Sequence, residues 1–107
     1  AEVYDLSTAL ELDWYEDIGL CKAGEAERLL NDGDTSLGGR IPVNPSGGLI
    51  GLGHPVGATG VRMLLDCFKQ VTGTAGDYQI EGAENFATLN VGGSATTTVS
   101  FVVGRAA

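Results

Sequence analysis

Along the 107 positions, short stretches with a clear hydrophobic pattern alternate with stretches that have none. Glu2-Val3-Tyr4-Asp5-Leu6 alternates polar and apolar residues and predicts a short strand. Thr8-Ala9-Leu10-Glu11 follows, with the T-x-x-E spacing in which a hydroxyl and a carboxylate satisfy each other's backbone N–H groups. A helix is expected from there, with Ala9, Leu10, Leu12, Trp14 and Ile18 as its apolar face and Gly19 as its stop. A second short helix is expected over 24–30, turned away by Asp32-Gly33-Asp34, with Glu25, Glu27 and Arg28 facing water. Positions 38–60 lose all period. Eight of these 23 positions are glycine, which predicts an irregular but ordered loop of the kind that carries function. The helical pattern then returns, with Val61, Leu64, Leu65, Phe68 and Val71 forming a stripe on a helix from about Gly57 to Thr72, expected at the centre of the molecule. Positions 85–91 and 95–103 are rich in β-branched residues and are parted by Gly92-Gly93-Ser94, which predicts an antiparallel hairpin. The fold class is therefore α/β: one domain with a mixed β-sheet of five strands or fewer, packed with helices.

Composition narrows the function classes. Hydrophobic residues make up 43%, charged residues 19%, and mean hydropathy is +0.10, which suits a globular piece with substantial burial and not a disordered tail. The formal charge of −8, with the acidic residues concentrated in the first 34 positions, argues against nucleic acid or an anionic membrane as partner. No apolar run is long enough to span a bilayer, and Ala1-Glu2-Val3-Tyr4-Asp5 has no signal-peptide character, so a cytoplasmic location is expected. Cys21 and Cys67 lack any C-x-x-C or Cys/His spacing and are expected to be reduced packing thiols, with no metal site.

His54 is the only histidine. It stands in Gly53-His54-Pro55, just ahead of a helix whose free N–H groups and dipole favour negative charge, where an imidazole can donate to a developing oxyanion or activate a thiol. The same position also suits a plain loop-capping histidine. The surrounding glycines fail the G-x-G-x-x-G and G-x-x-x-x-G-K-[ST] patterns, and Ser46 and Ser94 are not in G-x-S-x-G, so nucleotide-binding and serine-hydrolase readings fall away. Glu16, Asp17, Glu25 and Glu27 read as a solvated face.

Taken whole, Asn44-Pro45-Ser46-Gly47-Gly48-Leu49-Ile50-Gly51-Leu52-Gly53-His54-Pro55-Val56-Gly57-Ala58-Thr59-Gly60 resembles the thiolase signature N-x-x-G-G-x-x-x-x-G-H-P-x-G-[AS]-[ST]-G. The Ile41-Pro42-Val43-Asn44-Pro45-Ser46-Gly47-Gly48 run and the late Gly92-Gly93 pair resemble the branch of that superfamily containing sterol-carrier-protein-2 and lipid-transfer-type members, as in acetyl-CoA acetyltransferase-like proteins. The resemblance implies a thiolase-like C-terminal half-domain over 1–107, without the N-terminal half that carries the acyl-accepting cysteine, so that the chain alone is not a self-sufficient enzyme. It implies that His54 activates that cysteine and helps form an oxyanion hole, that Gly92 donates to a second oxyanion hole, and that Asn44, Gly47, Gly48, Gly53, Pro55 and Gly57 belong to the substrate and CoA-binding loop.

Two positions depart from the family pattern. Asn90 stands where a cysteine or histidine acid/base is usual, and an amide cannot shuttle protons near neutral pH. Tyr4, in Val3-Tyr4-Asp5-Leu6, stands where an asparagine or histidine is usual. The resemblance thus implies an acyl-CoA acyltransferase in lipid metabolism. The alternatives are a lipid-transfer-type retro-aldolase on steroid side-chain CoA thioesters, to which the Tyr4/Asn90 pattern points, and a non-catalytic acyl-CoA or lipid-binding module. The expected partners are an acyl-CoA substrate, an N-terminal thiolase half, a second copy of the chain and an OB-fold/zinc-ribbon protein. No cofactor is implied beyond CoA as part of the substrate.

Overall fold

The computed structural model describes residues 1–106. A mixed three-stranded sheet has the order β1-β2-β3, from β1 (Glu2–Val3), β2 (Asn85–Gly92) and β3 (Thr97–Gly104). β1 runs parallel to β2, with Glu2 opposite Thr88 and Val3 opposite Leu89. The hairpin of β2 and β3 is antiparallel, with Thr88 opposite Phe101 and Asn90 opposite Val99. Both strands of the hairpin fall where the β-branched runs predicted them.

Alternation along β1 and β2 divides the core between the two faces of the sheet. On one face, α1 (Thr8–Asp17) and α2 (Ala26–Asn31) bury Trp14, Tyr15, Ala26 and Leu29 against Val3 and Leu89. The acidic helical pair is therefore a lid on the sheet that shows water only its outer side. Its glutamates are partly employed: Glu16 accepts the Gly24 N–H at 2.8 Å and Glu11 accepts the Tyr15 hydroxyl at 2.7 Å. Helix α1 starts one residue earlier than the T-x-x-E pattern placed it. Ser7 is the N-cap, accepting the Leu10 N–H, and Thr8 is already helical, because it is the Ser7 backbone that is extended.

On the other face lies α4 (Thr59–Thr72), which ends at Gly73 in the left-handed conformation, its last turn closed by Thr74 N–H on Lys69 O. It starts two residues after Gly57, once the Pro55 carbonyl has accepted the Ala58 and Thr59 N–H groups. The residues it buries against the sheet are Met63, Asp66, Cys67, Gln70 and Val71. Of the predicted stripe only Val71 is buried, whereas Val61, Leu65 and Phe68 are 71%, 49% and 55% exposed. The stripe is real, but most of it faces away from this sheet.

The glycine-rich stretch is less irregular than its composition predicts, since it contains a single short helix, α3 (Gly48–Leu52). Two side-chain contacts tie it to the first strand region. Asn44, in the left-handed region, accepts the Val3 N–H on its Oδ1 at 2.7 Å while its own N–H bonds Ala1 O, so it closes the outer edge of β1. Asp5 accepts the Leu49 N–H at 2.6 Å and the Ile50 N–H at 3.5 Å, satisfying the first turn of α3. Gly48 is required there, because its φ is +63° and a Cβ would collide with the Asp5 carboxylate.

A polar seam joins β1, the loop and α4. Ser46 donates to Glu2 through its hydroxyl at 2.8 Å and its N–H at 3.3 Å. Arg62 Nη1 reaches Ser46 Oγ at 3.1 Å and Asp66 at 2.9 Å, and the Tyr78 hydroxyl donates to the same carboxylate. Burial of Glu2 pushes its carboxyl up to about 7, opposed by the Ser46 hydrogen bonds and reinforced by Asp66.

Candidate functional site

The end of β1, the loop between α3 and α4, and the end of β2 converge on one cleft of about 550 Å³, lined by Tyr4, Leu6, His54, Val56, Asn90, Val91, Gly92, Gly93, Thr97 and Val99. Its position follows from the topology. The parallel β1/β2 pair brings both C-terminal strand ends to the same side, and the loop before α4 crosses above them.

His54 is placed by the turn Gly53-His54-Pro55, in which Gly53 has a φ of +91°. Its Nδ1 lies 2.8 Å from Thr59 Oγ1, and its Nε2 lies 3.3 Å from Tyr4 Oη. The two rings meet edge to face, with centroids 5.3 Å apart and planes at 85°. Tyr4 is fixed from behind, because its carbonyl accepts the Trp14 indole N–H at 2.6 Å. Asn90 uses its Oδ1 on the Val91 N–H at 3.0 Å, and its NH₂ lies against Gly60, where a Cβ would stand 2.6 Å away. The first turn of α4 packs directly against Asn90 because residue 60 has no side chain.

The structure thus brings Tyr4, His54, Asn90 and Gly92 together. Of the loop residues, Asn44 and Gly48 are occupied in bracing β1 and Asp5, and Asn44, Gly47, Gly48, Gly53, Pro55 and Gly57 do not line this cleft. Gly57 lines an adjoining groove of about 350 Å³ with Val56, Gly60, Val61, Met63, Leu64, Thr88, Asn90, Val99 and Phe101. Neither cysteine reaches the cleft. Cys67 is fully buried under the sheet, and burial, with Glu2 nearby, pushes its thiol up to about 12. Cys21 is also pushed up, by burial and the neighbouring Glu16 and Glu25. Neither cysteine takes part in a disulfide among the described residues. Among the described residues there is no cluster of metal-ligating side chains, and no helix is long and apolar enough to cross a membrane.

Thr59 is the site residue that the reading of single residues missed. Its signal is the [ST] position of the signature, five residues after His54, at the first residue of α4.

Residues 1–105 match the thiolase C-terminal domain-like family. The chain belongs to this family. It is 42% identical over 104 residues to an acetyl-CoA acetyltransferase of Methanothermobacter thermautotrophicus, covering 97% of this chain and 27% of that protein. It is 39% identical over 104 residues to sterol carrier protein 2 of Bos taurus, covering 96% of this chain and 19% of that protein. Among solved structures, this thiolase C-terminal-like domain superposes on the Ltp2-ChsH2(DUF35) aldolase with a TM-score of 0.81 at 30% identity, covering 96% of this chain and 25% of that one. It therefore spans between 19% and 27% of the length of these relatives. The thiolase-like α/β fold expected from the signature is the fold observed.

Proposed function

We propose that this domain forms one wall of the active site of an enzyme that breaks or makes the carbon–carbon bond beside a CoA thioester, with CoA entering only as part of the substrate and no cofactor of the domain's own. The reading that the geometry supports best is retro-aldol cleavage of a 3-hydroxyacyl-CoA into a carbonyl compound and a shortened acyl-CoA. The observation that carries it is the Tyr4–His54 pair facing Asn90 and Gly92 across one cleft. In such a cleavage a base takes the hydroxyl proton, the Cα–Cβ pair moves into the thioester as an enolate, and the enolate carbon is then protonated. Tyr4 and His54 offer the proton-handling pair, while Asn90 and Gly92 line the opposite wall, where the oxyanion is proposed to be held. The 30% identical aldolase structure supports the same reading.

Thiolase-type acyl transfer is the second reading, favoured by the 42% identity to an acetyl-CoA acetyltransferase. It needs a cysteine from another part of the protein, since Cys21 and Cys67 lie outside the cleft. In either case the exposed Val61, Leu65 and Phe68 on α4, with Val99 and Phe101 on β3, form a face suited to the other half of a thiolase fold or to a second copy. An OB-fold/zinc-ribbon protein is proposed as a further partner, and the similar Ltp2-ChsH2(DUF35) aldolase supports a second component in the assembly.

The test uses the whole polypeptide that carries this sequence, together with any subunit that co-purifies with it. A 3-hydroxyacyl-CoA with a tertiary hydroxyl is expected to release a ketone, detected by mass spectrometry, and Tyr4→Phe to slow release by roughly 100-fold or more. CoA-dependent cleavage of a 3-ketoacyl-CoA that survives Tyr4→Phe establishes acyl transfer instead. Saturable CoA-thioester binding with neither cleavage establishes a binding module.

A further inference from the structure

The three contacts around His54 restrict where its protons sit. Tyr4 Oη is 3.3 Å from Nε2, Nδ1 is 2.8 Å from Thr59 Oγ1, and the Thr59 hydroxyl is placed to donate to Pro55 O at 3.3 Å. Pro55 O is a pure acceptor and Thr59 Oγ carries one proton. If that proton goes to Pro55, Thr59 must accept from Nδ1–H, which leaves the Nε2 lone pair to accept from the Tyr4 hydroxyl. All three contacts are then hydrogen bonds. With the other tautomer, Thr59 would donate to Nδ1 and Nε2–H to Tyr4, and the Thr59–Pro55 bond would be lost. Pro55 O keeps the Ala58 and Thr59 N–H groups in either case, so the tautomers differ by this one bond, which water does not replace readily because Thr59 is only 1% exposed.

We infer that Thr59 is a positioning residue that holds neutral His54 as the Nδ1–H tautomer, so that a directional relay runs from the cleft through Tyr4 to His54. The inference rests on the retro-aldol reading for its chemical use. The substrate hydroxyl gives its proton to Tyr4 Oη as the Tyr4 proton passes to Nε2. The resulting imidazolium keeps its Nδ1–H on Thr59. The Cβ–O bond becomes a carbonyl, the Cα–Cβ pair becomes the enolate, and the same proton returns through Tyr4 to Cα. Atoms and charge balance without another reactant. Tyr4, which alone has no base, thereby gains one, and Thr59 acts without touching substrate.

The test is the ¹⁵N imidazole spectrum of the whole protein, with the His54 signals assigned by their loss in His54→Gln. The inference expects a protonated Nδ1 and an unprotonated Nε2 in the neutral ring. Thr59→Val, which keeps the buried volume, is expected to raise the Nε2–H population, and Thr59→Ser to retain the wild-type pattern. A wild-type ring already protonated at Nε2, or a tautomer ratio unmoved in Thr59→Val, overturns it. In turnover, Thr59→Val is expected to lower kcat by about tenfold with KM little changed, and Thr59→Ser to restore it. A correct tautomer in a protein that cleaves no 3-hydroxyacyl-CoA leaves the hydrogen-bond relay standing and removes the retro-aldol reading. A cleaving enzyme with the opposite tautomer does the reverse.

Discussion

The two sides of α4 are made of the wrong residues for a helix on a monomeric domain. The side pressed on the sheet carries Asp66, Cys67 and Gln70 beside Met63 and Val71, while the side turned outward carries Val61, Leu65 and Phe68. The inner side succeeds because the buried carboxylate and amide on it are served. Asp66 receives Arg62 and Tyr78, and Gln70 accepts the Ile80 N–H and donates to Tyr78 O. Among the described residues nothing covers the outer side. A buried helix face is thus identified here by satisfied polar groups, and an exposed apolar face by the surface it still lacks.

Substitutions at α4 and at the Glu2 carboxylate beneath it separate the two sides. The largest effect is expected for Met63→Ala, which empties a fully buried site between α4 and the sheet and should cost about 3 kcal/mol in denaturant unfolding. A cost below about 1 kcal/mol would mean that the inner side is not the packed one. Next in size is the proton at Glu2, whose carboxyl is raised to about 7 from 4.5. The folded state therefore binds a proton that the unfolded state has already released, so this contribution to stability is full below about 4.5 and is lost as the pH rises through about 7. Glu2→Gln should flatten that part of the stability–pH curve relative to the parent, and parallel curves would remove Glu2 as the cause. The smallest effect is expected for Phe68→Ser, under about 0.5 kcal/mol in the domain's own unfolding. The same substitution should weaken association through the outer face, read as a shift toward lower mass in sedimentation. A Phe68→Ser variant that unfolds as readily as Met63→Ala would erase the distinction.

Local pattern made much of this structure legible. The hairpin announced itself through β-branched density around Gly92-Gly93, and α4 through its period and its Gly73 stop. Tyr4, His54, Asn90 and Gly92 were legible as a group only through the signature, since 36 positions separate His54 from Asn90 and nothing local links them. What stayed hidden depended on partners distant in the chain. The Asp5 carboxylate turns a glycine run into α3, and no periodicity in positions 48–52 records a cap supplied from position 5. The stripe on α4 marked an apolar face but not what covers it, because periodicity reports which residues share a side and not which side meets the sheet. Glu2 looked like the polar half of an alternating strand. It is fully buried because its face lies under α4, where Ser46 receives it.

The missing side chain at Gly60 makes the wall behind Asn90 a matter of fit as well as of functional groups. Asn90 fills the gap that the helix leaves, so the two positions act as a matched pair, like a key bit and its ward. Any re-engineering of this cleft that installs a bulkier acid/base at position 90 inherits that clearance. Where the new side chain grows toward residue 60 it meets the first turn of α4, which also carries Thr59 and so the setting of the imidazole.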